Sequence, residues 1–269
     1  MRQQVTLSVI RREQLSPHLV RRVAGGDGFD DVESNDFSDK YVKIFFAKAG
    51  LMPPFDMAEL RETLAPEDLP VTRSTYTVRA IDPVARTLSI DFVVHGDDGI
   101  ASPWADRAEP GDAITISMPG GGYSPDPTAH WHLFGGDQSA LPAIAAALEA
   151  LPSTAVGLAF IEVASSDEIL ELDAPAGVSV RWLVSATGLV GASTALVDAI
   201  ASASWPSGRP GIFAHGERSA MKGLRDLFRD RGITRDQLSL SGYWAFGRTE
   251  DRFQAEKREP IGQIAPVSS

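Results

Sequence analysis

The apolar positions divide the chain into two halves of different texture. Up to about residue 128 they come in short runs that alternate with polar residues, the period of a strand with one buried face. Val5, Leu7 and Val9 share such a face. Further runs of β-formers are Tyr41 to Phe46 (YVKIFF), Thr75 to Ile81 (TYTVRAI), Thr87 to His95 (TLSIDFVVH) and Ala113 to Met118 (AITISM). Asp82-Pro83 and Pro110-Gly111-Asp112 supply turn chemistry between them. Short strands separated by turns predict an antiparallel sandwich or barrel.

Beyond the stretch PGGGYSPDPT the pattern changes. Strands are expected at Trp131 to Gly136, Ala155 to Ala164, Val178 to Ser185, Gly211 to Gly216 and Leu238 to Gly247. Helices are expected at Ala140 to Leu151, Ser193 to Ala203 and Ser219 to Arg231, the last stopped by Gly232. Strands alternating with helices imply a parallel sheet. The boundary between an all-β part and an α/β part falls near residues 119–130, and the polar segment after Glu250 reads as a frayed tail.

Composition narrows the chemistry. The 269 residues include no cysteine, so disulfides, Cys-ligated clusters and thiol nucleophiles are excluded, and electron transfer would need a bound cofactor. With 25 basic and 36 acidic residues the net charge is −11, which argues against a general nucleic-acid partner. No apolar run approaches the roughly 20 residues of a membrane span, and MRQQVTLSVIRREQ lacks a signal-peptide core. The expectation is a soluble cytoplasmic protein with no membrane partner.

Several local patterns fit ligand chemistry, each beside a plainer reading. In RSTYTVR, alternation puts Thr75, Thr77 and Arg79 on one face and Tyr76 and Val78 on the other. An Arg at a strand entry holds diphosphate and a Tyr stacks on a flat ring, but Thr, Tyr and Val also make ordinary strands. In HGDDGIASPWA, small residues let backbone N–H groups approach phosphate, and Ser102 is placed to cap a helix starting at Pro103. GGDQSALPAI occupies the strand-to-helix position where open α/β sheets bind nucleotides, although it is not GxGxxG; Asp137 or Ser139 equally serve as N-caps. His215, Glu217 and Ser219 fit acid–base or hydrolase chemistry, yet no GxSxG elbow exists and a capping cluster explains them. His130 and His132 would share a strand face without a third metal ligand in sequence. The aromatics of SGYWAFG would cover a planar cofactor or close a core.

Taken in order, YTVR, the D-x-V-x-H-G run, ASPWA, GD before ALPAI, Gly216-Glu217 and Tyr243-Trp244 resemble the siderophore-interacting protein family of FAD-dependent ferric-siderophore reductases. The resemblance implies a six-stranded FAD-binding barrel over 1–126, a NAD(P)H-binding α/β domain over 127–250 and a polar tail over 251–269. It places FAD on Arg73, Tyr76, Thr77 and Val78, with His95, Ala101 and Ser102 on the ribityl-diphosphate side. Asp137, Gln138, Ser139 and Ala140 would meet NADPH or NADH, and Lys43 would face an anionic ferric siderophore. Hydride would pass to FAD and single electrons to Fe(III), with no side chain as nucleophile and a monomer, or else a dimer, as the working unit. Four positions depart from the family pattern: the extra residue between Arg73 and Tyr76, Ile100, Gln138-Ser139 and Ala245. Two alternatives stay open, a general reductase of ferredoxin or free flavin, and a non-catalytic flavin- or siderophore-binding protein.

Overall fold

A computed structural model describes residues 4–48, 50–65, 68–69, 71–94 and 99–267, with residues 71–74 described by their backbone alone. Two compact units result, Met1–Gly121 and Gly122–Ser269.

The first unit contains β1 (Gln4–Ser16), β2 (Leu19–Gly25), β3 (Tyr41–Ala47), α1 (Met57–Thr63), β4 (Val71–Asp82), β5 (Thr87–Val93), α2 (Ala101–Arg107) and β6 (Ala113–Ser117). Its strands close into an antiparallel barrel in the order β1-β2-β5-β4-β3-β6, as the short alternating runs predict. Alternation sends Val5, Leu7, Val42, Ile44, Ile90, Phe92, Ile114 and Ile116 into one core. Each such side chain contributes roughly 1.5–3 kcal/mol relative to exposure. Phe45 points outward and is covered by Met57 of α1, a helix that carried no distinct sequence signal.

The second unit contains β7 (Trp131–Asp137), α3 (Leu141–Glu149), β8 (Val156–Val163), β9 (Gly177–Val184), α4 (Ala195–Ser202), β10 (Pro210–Glu217), α5 (Arg218–Asp230), β11 (Leu238–Trp244) and α6 (Glu250–Glu256). Its five strands run parallel in the order β11-β10-β7-β8-β9. Trp131, Leu133, Phe160, Ile212, Leu224 and Phe228 form the core under α4 and α5. Gly232, at φ 74, ends α5 as expected, because only glycine takes that conformation without cost.

The C-terminal segment differs from its polar reading. Phe253 of α6 is buried, and Glu256, 1% exposed, accepts from Arg248 Nε and Arg252 Nε, each at 2.8 Å, and lies 2.7 Å from Arg218 Nη1. Three guanidiniums around one carboxylate fasten a segment whose composition is mostly polar. No helix among the described residues is long and apolar enough to cross a membrane.

Candidate functional site

On the barrel, the chemistry gathers where β3 meets β4. Tyr41 lies opposite Thr77, and Lys43 opposite Thr75, so these four share the outer face. Tyr41, Lys43 and Thr75 are exposed, whereas Thr77 is buried. The Tyr41 ring rests on Gly120, where a Cβ would come within 2.8 Å of its Cζ, so this glycine is required by a close approach.

Tyr76 occupies the opposite face beside Val42 and is half-buried, its ring centroid 4.5 Å from that of Phe92. Val78 lies in the core, and its N–H donates to the Lys40 carbonyl at 2.7 Å. A bulge between Val78 and Ala80 interrupts the alternation at Arg79. Arg73 pairs with Phe45 through the backbone, and its side chain lies outside the described part; His95 lies outside the described residues.

Helix α2 starts at Ala101, not at Pro103. Its N-cap is Ile100, whose side chain makes no capping bond; Ser102 is buried inside the first turn and is not the cap. No acidic residue stands in the first turn of α2 to repel an anion. The threonine hydroxyls of β4 and the Tyr76 ring are hydrogen-bonding and stacking groups of the kind that fit a flavin nucleotide.

In the α/β unit, the chemistry gathers at the carboxyl edge of the sheet. Gly136 admits α3 closely: a Cβ there would lie 2.5 Å from the His215 carbonyl and 2.9 Å from Ala140 Cβ. Asp137 follows and is buried. Its Oδ1 accepts from the Ser139 N–H at 2.8 Å and the Ser139 hydroxyl at 2.5 Å. Its Oδ2 accepts from the Glu217 N–H at 2.7 Å and Trp244 Nε1 at 2.9 Å. Burial pushes this carboxyl up, against the pull of those donors.

Neither Asp137 nor Ser139 caps α3, whose N-cap is Ala140 with no side-chain bond. Gln138 is buried and donates to Glu168 Oε2 at 2.9 Å. Of the four residues expected at the nicotinamide nucleotide, Asp137, Gln138 and Ala140 are thus interior, and Ser139 is half-buried.

Glu217 caps α5, accepting from Ser219 N and Ala220 N, which settles the capping reading of that motif. His215 is buried with both ring nitrogens bonded, Nδ1 to Tyr243 Oη and Nε2 to Ser239 Oγ, each at 2.9 Å. Burial pushes its pKa down to about 3, so the ring is neutral at physiological pH. His130 precedes β7 and accepts from the Arg209 N–H, whereas His132 is buried within the strand.

Sequence reasoning passed over Glu162. It pairs in register with Asp137, is 1% exposed, and carries an oxygen, Oε1, that has no hydrogen-bond partner among the described residues. Its only signal is a lone charge in the apolar run AFIEVA. Burial first, then the charges of Asp137 and Glu217, push it up to about 6, against a hydrogen bond from the Gly191 amide.

Comparison with known proteins matches both units. Residues 8–123 match the siderophore-interacting FAD-binding domain, and residues 129–247 match the siderophore-interacting protein model. A Mycobacterium tuberculosis protein is 42% identical over 93% of both chains. The ferric vibriobactin reductase ViuB of Vibrio cholerae is 32% identical over 93% of both. The NADPH-dependent ferric-chelate reductase of Escherichia coli is 30% identical over 88% of this chain and 91% of its own. Among solved structures, the siderophore-interacting protein SipS of Aeromonas hydrophila superposes with a TM-score of 0.83 at 28% identity, over 97% of this chain and 99% of that one. With a closed six-stranded barrel, a parallel sheet following it in the chain and both family regions matched in order, the chain belongs to the siderophore-interacting protein family.

Proposed function

We propose that this chain reduces ferric siderophores in the cytoplasm, with FAD held by the barrel unit and NADPH or NADH as electron donor, so that iron leaves as Fe(II). The observation that carries the reading is the order of the two units, each matched by its own family region: a barrel whose β3–β4 residues fit a flavin nucleotide, then a parallel sheet with the strand-to-helix turn GDQS. The relatives named as reductases support it. FAD, when bound, accepts a hydride and releases electrons singly, which links a two-electron donor to Fe(III).

The chain's own residues bind and orient. Tyr76 and Thr77, with Val78 beneath them in the core, would hold the flavin ring, and Ala101 and Ser102 would line its ribityl-diphosphate side. Arg73 and His95 belong to the same assignment. Ser139, in the turn that follows β7, would meet the nicotinamide nucleotide. Asp137, Gln138 and Ala140 act from beneath as supports of that turn. No acid–base duty falls on His215 or Asp137: the first is neutral with both nitrogens bonded, and the second accepts four donors. Lys43 matters because the chain's net charge of −11 repels an anionic chelate, so a local cation on the exposed β3 face must offset it.

The test is anaerobic mixing of the FAD-loaded protein with NADPH and with NADH, followed by ferric catecholate, ferric hydroxamate or oxidised ferredoxin. Bleaching of the flavin band by a nucleotide, then Fe(II) trapped by a colorimetric chelator, is the expected result. Failure of both nucleotides to bleach the flavin would overturn the reading, and transfer to ferredoxin alone would favour the general reductase.

A further inference from the structure

Arg22 of β2 is 1% exposed, and its side chain turns into the barrel. It stands opposite Ile90 of β5 and two residues before Ala24, and both of these lie in the core. Its Nε donates to the Ala105 carbonyl at 2.7 Å, and its Nη2 donates to the Asp106 carbonyl at 3.0 Å. Those carbonyls belong to the last turn of α2, where a helix leaves acceptors without internal partners. Arg12 of β1, the cross-strand neighbour of Arg22, donates to Asp106 Oδ1 at 3.2 Å. Two paired strand residues thus grip the carboxyl end of one short helix.

The grip costs free energy. Burial first, then the charge of Arg12, work against the Arg22 guanidinium, offset in part by Asp106 and Asp112. Its Nη1 is buried and has no hydrogen-bond partner among the described residues. A neutral amide would donate to a helix-end carbonyl without that cost. What the planar fork adds is direction, because two donors fixed relative to each other hold two successive carbonyls and with them the helix axis.

The same helix carries Trp104, whose ring centroid lies 5.6 Å from that of Phe46 and 5.7 Å from that of Phe92. The Phe92 ring lies in turn 4.5 Å from Tyr76. A file of three rings therefore runs from β4 across β5 to α2, and it ends one residue before the first carbonyl that Arg22 holds. Ala101 and Ser102, both buried, occupy the other end of that helix. So short a helix moves as one piece, and a shift at its carboxyl end is a shift at Ala101 and Ser102.

We propose that Arg22 is a positioning residue for FAD: by holding the carboxyl end of α2 it fixes where Ala101 and Ser102 stand relative to Tyr76, and so sets the affinity for the diphosphate half of the cofactor. This rests on the placement proposed above, with Tyr76 at the flavin ring and Ala101 and Ser102 at the ribityl-diphosphate side. FAD has to meet both places at once, so their spacing must be set before it binds. Riboflavin carries the same ring and lacks the diphosphate.

Fluorescence titration of the flavin-free full chain with FAD and with riboflavin tests this in wild type, Arg22→Gln and Arg22→Lys. In Arg22→Gln the Kd for FAD is expected to rise roughly tenfold and that for riboflavin to stay within about twofold of wild type. Arg22→Lys, which keeps the charge but loses the fork, is expected to fall between the two for FAD. Unchanged FAD affinity in Arg22→Gln, or an equal loss for both flavins, would overturn the proposal, since a generally loosened barrel gives the second result. If Arg22→Gln does not fold, the ratio of the two affinities in Arg22→Lys decides in the same way. A wild type that takes up neither flavin would instead defeat the placement of FAD on the barrel, and this inference with it.

Discussion

Asp137 Oδ2 accepts the Trp244 indole N–H at 2.9 Å, tying the end of β7 to the end of β11 across β10. The same oxygen accepts the Glu217 amide, so one buried carboxylate sets the relative height of three strand ends. The turn leading into α3 and the cap of α5 both hang on this point.

Asp137→Asn leaves the backbone intact but replaces an oxygen acceptor by a donor amide facing N–H groups. With at least one donor left unsatisfied in a buried site, stability falls by about 2 kcal/mol. Urea unfolding measures the loss, and Trp244 emission shifts to the red in the folded variant if the indole loses its partner.

His215 makes stability depend on pH. Its folded pKa lies near 3, below the ordinary 6.5, so its contribution is complete above 6.5 and is lost as pH falls toward 3. By pH 5 the loss attributable to this ring is about 2 kcal/mol. Wild type and His215→Gln, compared by urea unfolding at pH 7.5 and 5, are expected to differ in pH dependence by that amount. Equal slopes would mean that the imidazole is not held neutral.

Glu162 acts in the opposite sense. Its folded pKa of about 6 exceeds the ordinary 4.5, so the folded state binds the proton more tightly and loses stability as pH rises through 4.5 to 6. Glu162→Gln is therefore expected to be more stable than wild type at pH 7.5, by about 2 kcal/mol, and to lose that advantage by pH 4.5. Thermal melts across that range check the direction and the window.

Glu256 secures α6 through Arg218, Arg248 and Arg252. In Glu256→Ala the three guanidiniums are left without their shared acceptor and Phe253 loses its anchor. Trypsin is expected to cut after Arg252 and Lys257 faster than in wild type, with the thermal transition of the remaining chain little changed. Mass spectrometry of a timed digest reads both.

Lys43 stands exposed on the outer face of β3. Lys43→Ala is expected to raise KM for a ferric catecholate roughly three- to tenfold while leaving flavin reduction by NADPH unaltered, because one exposed charge contributes about 1 kcal/mol. Added salt should mimic the substitution in the wild type and do little in the variant.

Most of the fold was legible because burial imposes a period on sequence. Val5, Leu7 and Val9 had to face inward together, and the parallel strands announced themselves as apolar runs separated by helical ones. Elements with weak patterns escaped: α1 covers only Phe45, and α6 is polar but for Phe253. The site was legible only as types of residue at the right turn. Ser102 read as a cap because serine often is one, yet the helix begins two residues earlier than that reading requires and encloses it.

By itself the sequence determined the two units, their order, the absence of thiol chemistry and the turn at which a nucleotide would be sought. Tertiary structure decided the rest, because a side chain's partner is chosen by packing and not by its neighbours in the chain. Asp137 meets Trp244 across 107 positions, and the distance between them in sequence carries no trace of the bond. Glu162 looked like a misplaced charge in a strand until the sheet set it beside Asp137. Burial in a row of acids, a property of the assembled edge alone, makes that carboxyl a group that titrates near neutrality.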